Sequence, residues 1–360
     1  MHQHGFDVIM ISADGKELPL ALANETCPHI IVPMTRKITP FQDLNCIWQL
    51  VKIFRKEKPD IVHTETPKAG LVGMIAAWIA GVKIRIHTVA GLPLMVEKGF
   101  KLKVLEFIER LTYGAATHVW PNSDSLKSFI LGHKFTPAKK VSVVGLGSSN
   151  GVNTVRYNES NLDPAILDEV KASVKYDPNA IYLLFIGRLV RDKGIIELVN
   201  VFTSLQKTRP ELRLILAGKY ERSLDPLPAE IEQQIETNPG IVHISWTDKV
   251  EYFMAAAHYF VFPSYREGFP NVLLEAAAMN LPIVCSRIAG NVDIVKHQET
   301  GLIFESQDEN ALQEMLPQAL DNRERSVAMA AKLHEVITTN YPREIFWEYM
   351  LQAYRNLVNR

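Results

Sequence analysis

Short, almost wholly apolar runs alternate with longer helical patterns along most of the chain, and this alternation limits the fold more than any other feature. Strands are expected at residues 7–12, 29–34, 60–63, 83–89, 117–120 and 141–144. Helical patterns fall between them, at 40–57, 68–80, 101–113 and 123–131. In the first of these, Phe41, Leu44, Ile47, Trp48, Val51 and Phe54 recur at helical spacing, and Lys58-Pro59 ends the run. Strands without a polar side are buried on both faces, which means a parallel sheet covered by helices. The pattern pauses at 145–161, rich in Gly, Ser and Asn, which reads as a hinge. A second α/β series follows, with strands at 181–186, 212–217, 241–244, 259–262, 282–285 and 301–304. The expected class is α/β, with two doubly wound parallel-sheet domains at 1–150 and 151–340 and a closing helix at 341–360.

The chemistry is concentrated after two strands of the second series. Pro263 and Ser264 stop the run 259–262, and a charged loop with a flexible Gly268 leads into a helix at 271–279. Pro270 suits the first turn of that helix. Open α/β sheets bind ligands where a strand feeds a loop that opens a helix. Free N–H groups around Gly268–Asn271 suit a phosphate. Glu267 and Glu275, eight residues apart, are odd neighbours for an anion unless they accept hydrogen bonds from hydroxyls. An anion together with a polyol describes a nucleotide sugar. After the strand 181–186 comes Gly187-Arg188-Leu189-Val190-Arg191-Asp192-Lys193-Gly194. Arg188 and Lys193 set two cations at one sheet edge, and Asp192 is placed to cap the next helix. Either stretch alone is compatible with an ordinary solvated turn.

Together, Glu267-Gly268-Phe269-Pro270 followed by Glu275, and the Gly-Arg…Lys-Gly element, resemble the signature of family 4 retaining glycosyltransferases of the GT-B fold. The resemblance covers nearly the whole chain. It implies two Rossmann-like domains facing a cleft, with the last helix returning to the first domain. It makes Arg188 and Lys193 the groups that neutralise the leaving diphosphate. Gly268, Phe269, Pro270, Asn271 and Gly290 would hold the diphosphate and sugar. Glu267 would hold sugar hydroxyls at the catalytic centre, without acting as a nucleophile, and Glu275 the ribose. Family frequency favours a UDP-sugar donor. The acceptor would be a bacterial cell-surface glycan or polyprenyl-diphosphate-linked sugar, of the capsule or lipopolysaccharide type. No cofactor is implied, and no metal, since the chain contains no Asp-x-Asp.

In the first domain, Lys68, His87, Gly91 and Asn122 are the acceptor-side candidates. His87 is either that or a satisfied core histidine, because the position before Gly91, where many relatives carry histidine, holds Ala90. Lys68 is either a phosphate contact or a surface lysine, and Asn122 alternatively caps a helix. Trp246, near where the family seats its base, reads as a core residue. One departure stands out: the family has a strand, glycine loop and helix ahead of the segment resembling His4-Gly5-Phe6-Asp7-Val8. That leaves a mis-assigned start, a truncation or a loss of activity open. The rival functions are a GT-B nucleotide-sugar epimerase and a non-catalytic nucleotide-sugar binder.

Composition removes other classes. A net charge of −1 argues against a nucleic-acid binder. Cys27, Cys46 and Cys285 are odd in number and far apart, which fits a reducing cytoplasm rather than a disulfide framework. The longest uncharged apolar stretch, 69–82, is short for a membrane span. Residues 92–113 mix Leu94, Phe100 and Phe107 with Lys98, Lys101 and Lys103, a pattern suited to peripheral contact with an anionic membrane face.

Overall fold

A computed structural model describes residues 1–15, 18–24, 27–35, 39–223 and 225–359. Two compact units are present: Met1–Asn122, Leu126–Gly145 and Glu348–Arg360 form unit 1, and Ser123–Ser125 and Leu146–Trp347 form unit 2. Residue 360, the end of the expected closing helix, lies outside the described residues.

Among the described residues unit 1 carries five strands, β1 (Met10–Ser12), β2 (His29–Ile31), β3 (Ile61–Thr64), β4 (Ile84–Val89) and β5 (His118–Pro121). All pair in parallel, in two sheets of order β1-β2 and β3-β4-β5. The strand expected at 141–144 is reduced to one bridge between Val141 and Val119. Ser142 still donates to the Val119 carbonyl, but Gly145 and Gly147, at φ +57° and +91°, then turn the backbone away.

The helix Pro40–Glu57 corrects another expectation. Cys46, Leu50, Val51 and Phe54 enter the core, yet Phe41, Leu44 and Trp48 are 90%, 62% and 61% exposed. The apolar positions fall on two faces, and a buried Asp43 lies among the core-facing ones. That carboxylate pairs with Lys68 at 2.6 Å, in a site where both side chains are largely buried.

Unit 2 holds β6 (Ile181–Ile186), β7 (Leu212–Ala217), β8 (Ile241–Ile244), β9 (Tyr259–Phe262), β10 (Ile283–Ser286) and β11 (Leu302–Phe304). They form one parallel sheet in the order β11-β10-β9-β6-β7-β8. Leu183, Leu184, Phe260 and Val261 are fully buried, as strands covered on both faces require. The chain builds outward from β6 through β7 to β8, then returns to lay β9 on the other side of β6. β6 and β9 therefore flank the point where strand order reverses, and the loops leaving their C-terminal ends diverge there. A helix at Pro164–Ser173 joins these elements, started by Asp163, whose side chain accepts from the Ala165 N–H at 2.9 Å.

Candidate active site

The reversal brings the loop 187–194 beside the loop 263–270. Gly194, at φ +69°, lies so close to the Pro263 carbonyl that any Cβ would strike it, so only glycine lets the two loops touch. Asp192 then fastens them. Its carbonyl accepts from the Tyr265 N–H at 2.8 Å, and its carboxylate pairs with Arg266 at 2.6 Å. This replaces the expected capping role: Gly194, not Asp192, occupies the cap of the helix Ile195–Gln206, and that cap has no side-chain acceptor.

Lys193 and Glu267, 74 residues apart in sequence, meet at the centre of this arrangement as an ion pair between Nζ and Oε1. Their side chains are only 15% and 17% exposed. The Ser264 hydroxyl donates to the same carboxylate oxygen at 2.9 Å, and the ammonium stands 5.9 Å from the Phe262 ring centroid. One Glu267 oxygen is thus held from two sides, which fixes where the other points. Arg188 pairs with Glu221 across a half-exposed contact. Such a pair contributes little in water.

Gly290 approaches from a third side. At φ +83° its α-carbon abuts the Gly268 carbonyl, where a Cβ would come within 2.5 Å. Asn271 opens the helix Asn271–Ala278, with Pro270 at its cap and no side-chain acceptor there. The first N–H groups of that helix lack intrahelical partners. Among the described residues the buried Asn271 Oδ1 also finds no hydrogen-bond partner. Phe269 is buried against the Tyr341 ring, so it braces the loop and can offer a ligand only its backbone. Glu275 sits farther along the helix; burial raises its pKa, while Tyr157 and Arg156 act in the opposite direction.

The four acceptor-side candidates all lie in unit 1, in or just beyond β3, β4 and β5. His87 is 2% exposed and shares a hydrogen bond with the Thr64 hydroxyl at 2.9 Å. Its ring rests on Gly70, and burial lowers its pKa to about 4, so it is a neutral core histidine. Lys68 is engaged by Asp43, Asn122 is buried, and Gly91 follows β4. His63 escaped notice in the sequence. It bridges Thr88 at 2.7 Å and the Tyr354 hydroxyl at 2.5 Å, which ties residue 354 of the last helix into unit 1. Trp246 is corrected outright: it is 63% exposed, with the Lys219 ammonium 5.6 Å from its ring. Ser264 has no signal in the sequence either, since a lone hydroxyl carries no local signature.

The family model described as glycosyl transferases group 1 matches residues 168–335, and the glycosyl transferase 4-like domain matches 1–147. The chain is 34% identical to a capsular polysaccharide biosynthesis glycosyltransferase, CapM, of Staphylococcus aureus, over 99% of this chain and 92% of that one. It is 25% identical to the UDP-Gal:alpha-D-GlcNAc-diphosphoundecaprenol alpha-1,3-galactosyltransferase of Escherichia coli, covering 88% and 81% of the two chains. The crystal structure of Anabaena Alr3699/HepE in complex with UDP superposes with a TM-score of 0.78 at 16% identity, over 97% and 92%. Two family domains, a near full-length relative and a shared fold agree with the loops assembled around Lys193 and Glu267: the chain belongs to the family 4-type glycosyltransferases of the GT-B fold.

Proposed function

We propose that the chain moves a hexose or N-acetylhexosamine from a UDP-sugar to a cell-surface glycan or polyprenyl-diphosphate-linked acceptor, with retention and without a metal ion. The observation that carries this reading is the convergence of Lys193, Glu267 and the open helix start at Asn271 on one strand edge. As the bond from the anomeric carbon to the diphosphate breaks, negative charge grows on the leaving oxygen. Arg188, Lys193 and the N–H groups at Asn271 and Val272 are the donors that would receive it. The acceptor oxygen would bond to the anomeric carbon on the same face, and its proton would pass to the leaving phosphate. Glu267, already holding Ser264 and Lys193, would grip sugar hydroxyls with its second oxygen. UDP and a lipid-linked acceptor are favoured because the E. coli relative is named for both, and the Anabaena structure holds UDP.

Calorimetric titration with UDP, GDP and ADP in EDTA tests the donor site. UDP binding is expected without metal, and Glu275→Ala or Arg188→Ala should weaken it by about tenfold, the effect of losing one hydrogen bond to a charged group. No nucleotide binding by folded protein would overturn the reading.

The same reading places the enzyme in the cytoplasm against the inner membrane face. Phe41, Leu44 and Trp48 line one exposed stripe that continues into Lys52 and Arg55. On the helix Gly99–Ala115, Phe100 and Phe107 are exposed beside Lys101, Lys103 and Arg110. Aromatic and basic side chains together suit an anionic lipid surface. No helix among the described residues is long and apolar enough to cross a membrane. Co-sedimentation with vesicles is expected to require anionic lipid and to fall roughly tenfold in a Phe41→Ser, Trp48→Ser, Phe100→Ser variant. Equal sedimentation of this variant and the unaltered chain would remove the contact.

A further inference from the structure

We propose that Ser286, braced by Asn291, is a positioning residue that aims the Glu267 carboxylate at the donor sugar by acting through Ser264. The inference rests on the donor-site reading and adds to it two buried side chains, from β10 and the turn beyond it, that lie outside the glutamate motif and the basic motif.

The local sequence creates the need for such a residue. β9 and β10 pair in parallel as far as Phe262 and Cys285. Pro263 comes next and has no N–H to give, so the ladder ends there. The Ser264 carbonyl lies beyond that end, in a fully buried residue. A buried carbonyl must find a donor. It accepts from the hydroxyl of Ser286, the residue after Cys285. This bond pins the Ser264 peptide, and the Ser264 side chain with it. The Ser264 hydroxyl has a single proton and three acceptors around it: Glu267 Oε1 at 2.9 Å, and the carbonyls of Asp192 and Arg266 at 3.3 Å each. The nearest is the carboxylate. A tilt of the Ser264 peptide would hand the proton to one of the carbonyls and release Glu267 to turn.

Ser286 is held in its turn. Asn291 Nδ2 donates to the Ser286 carbonyl at 2.9 Å and to the Ser286 hydroxyl oxygen at 3.3 Å. The hydroxyl thus accepts from the amide and donates onward to Ser264. Asn291 follows Gly290, so one chain of hydrogen bonds runs from the Gly290 turn to Glu267. Ser264, Ser286 and Asn291 are all fully buried, next to the apolar Phe262, Val284 and Cys285. Apolar side chains of similar shape would serve the fold nearly as well there. Among the described residues the buried Asn291 Oδ1 also finds no partner, a cost that an apolar residue would avoid. What the polar chain achieves is at its end, where it holds one oxygen of a carboxylate in place.

The test is titration of the full chain, without acceptor, with UDP and with UDP-glucose, UDP-galactose and their N-acetylamino counterparts. The quantity read is the affinity of the best-held sugar nucleotide relative to that of UDP. Ser286→Ala is expected to lower this ratio about three- to tenfold, the usual effect of one hydrogen bond. It should change UDP itself less than twofold, since Glu267 would meet only the sugar. In a Glu267→Ala background the same substitution should change nothing, because its effect passes through that carboxylate. An unchanged ratio for Ser286→Ala would overturn the proposal. So would an equal loss for UDP and the sugar nucleotide, or a loss that persists without Glu267, each the mark of a merely structural role. Should Ser286→Ala fail to fold, Ser286→Cys keeps the shape with a weak S–H donor and carries the same expectations. Two other results strike the donor-site reading instead, and the proposal with it: failure of the unaltered chain to bind UDP, or a Glu267→Ala variant that leaves the ratio untouched.

Discussion

Replacing Lys193 by alanine is expected to lower kcat about a hundred- to a thousandfold, while the fold survives. The estimate follows from the usual loss on removing one preorganised donor to a developing oxyanion, about 2.7–4 kcal/mol. Lys193 meets the structural conditions for such a donor. Its side chain is 15% exposed, so water screens it weakly, and Glu267, Phe262 and the Gly194 contact with Pro263 fix its place. In the free enzyme its charge is balanced by Glu267. A diphosphate would bring a competing anion, and sugar hydroxyls would take over the carboxylate. Binding thus exchanges one set of charge partners for another without leaving either group buried and unpaired.

Alanine at 193 removes the ion-pair partner of Glu267 and leaves it the Ser264 hydrogen bond, so a thermal unfolding measurement must accompany the kinetics. Single-turnover rates at a saturating concentration of the nucleotide-sugar donor separate the two effects. A slow transfer step with a Tm lowered by only a few degrees would fit the charge-stabilising role. A rate within threefold of the unaltered enzyme would show that the diphosphate is stabilised elsewhere. Lys193→Arg should restore little, because a planar guanidinium does not fit a site shaped around a point charge.

The architecture was legible because it rests on local periodicity. Buried strands such as 181–186 and 259–262 announce themselves as apolar runs, and their lengths matched the observed strands. Glycines 194 and 290 stood in the motifs, although the contacts that demand glycine there appear only when strand order is known. What the sequence could not give was the facing of side chains. The apolar residues of the helix Pro40–Glu57 fit one period, yet split between core and solvent, because Asp43 points inward to Lys68 while Phe41 and Trp48 point out. Trp246 failed for the same reason: an aromatic residue after a strand has no marker of exposure. Asp192 looked like a helix cap because local offset was the only information available; its real partner, Arg266, is 74 residues away. The helix at Pro164–Ser173 is signalled by Asp163-Pro164, a cap residue followed by proline, yet it falls between the expected hinge 145–161 and the strand 181–186, where no element is expected.

Acidification should destabilise unit 1 between pH 6.5 and about 4, by roughly 2 kcal/mol per histidine at pH 5. The groups responsible are His63 and His87. Burial lowers each pKa from the ordinary 6.5 to about 4, and their mutual repulsion adds to the effect on His63. In the unfolded chain both rings take up a proton as pH falls through 6.5. In the folded chain they stay neutral until about pH 4. Through that window the unfolded state binds more protons, so falling pH favours unfolding, and above about pH 7 the contribution is flat. Neither ring has room to adapt. His87 is wedged between Thr64 and Gly70, and His63 spans Thr88 and Tyr354 with the Trp120 ring 5.5 Å away. Urea midpoints taken from pH 8 to 5 give the total slope, and the same series on His87→Gln isolates one ring. The variant should be less stable at pH 8 yet lose less on acidification. Parallel pH profiles for variant and unaltered chain would mean that His87 takes up its proton in the folded state as easily as in the unfolded one. That would contradict a ring 2% exposed and hydrogen-bonded to Thr64 in the core of unit 1.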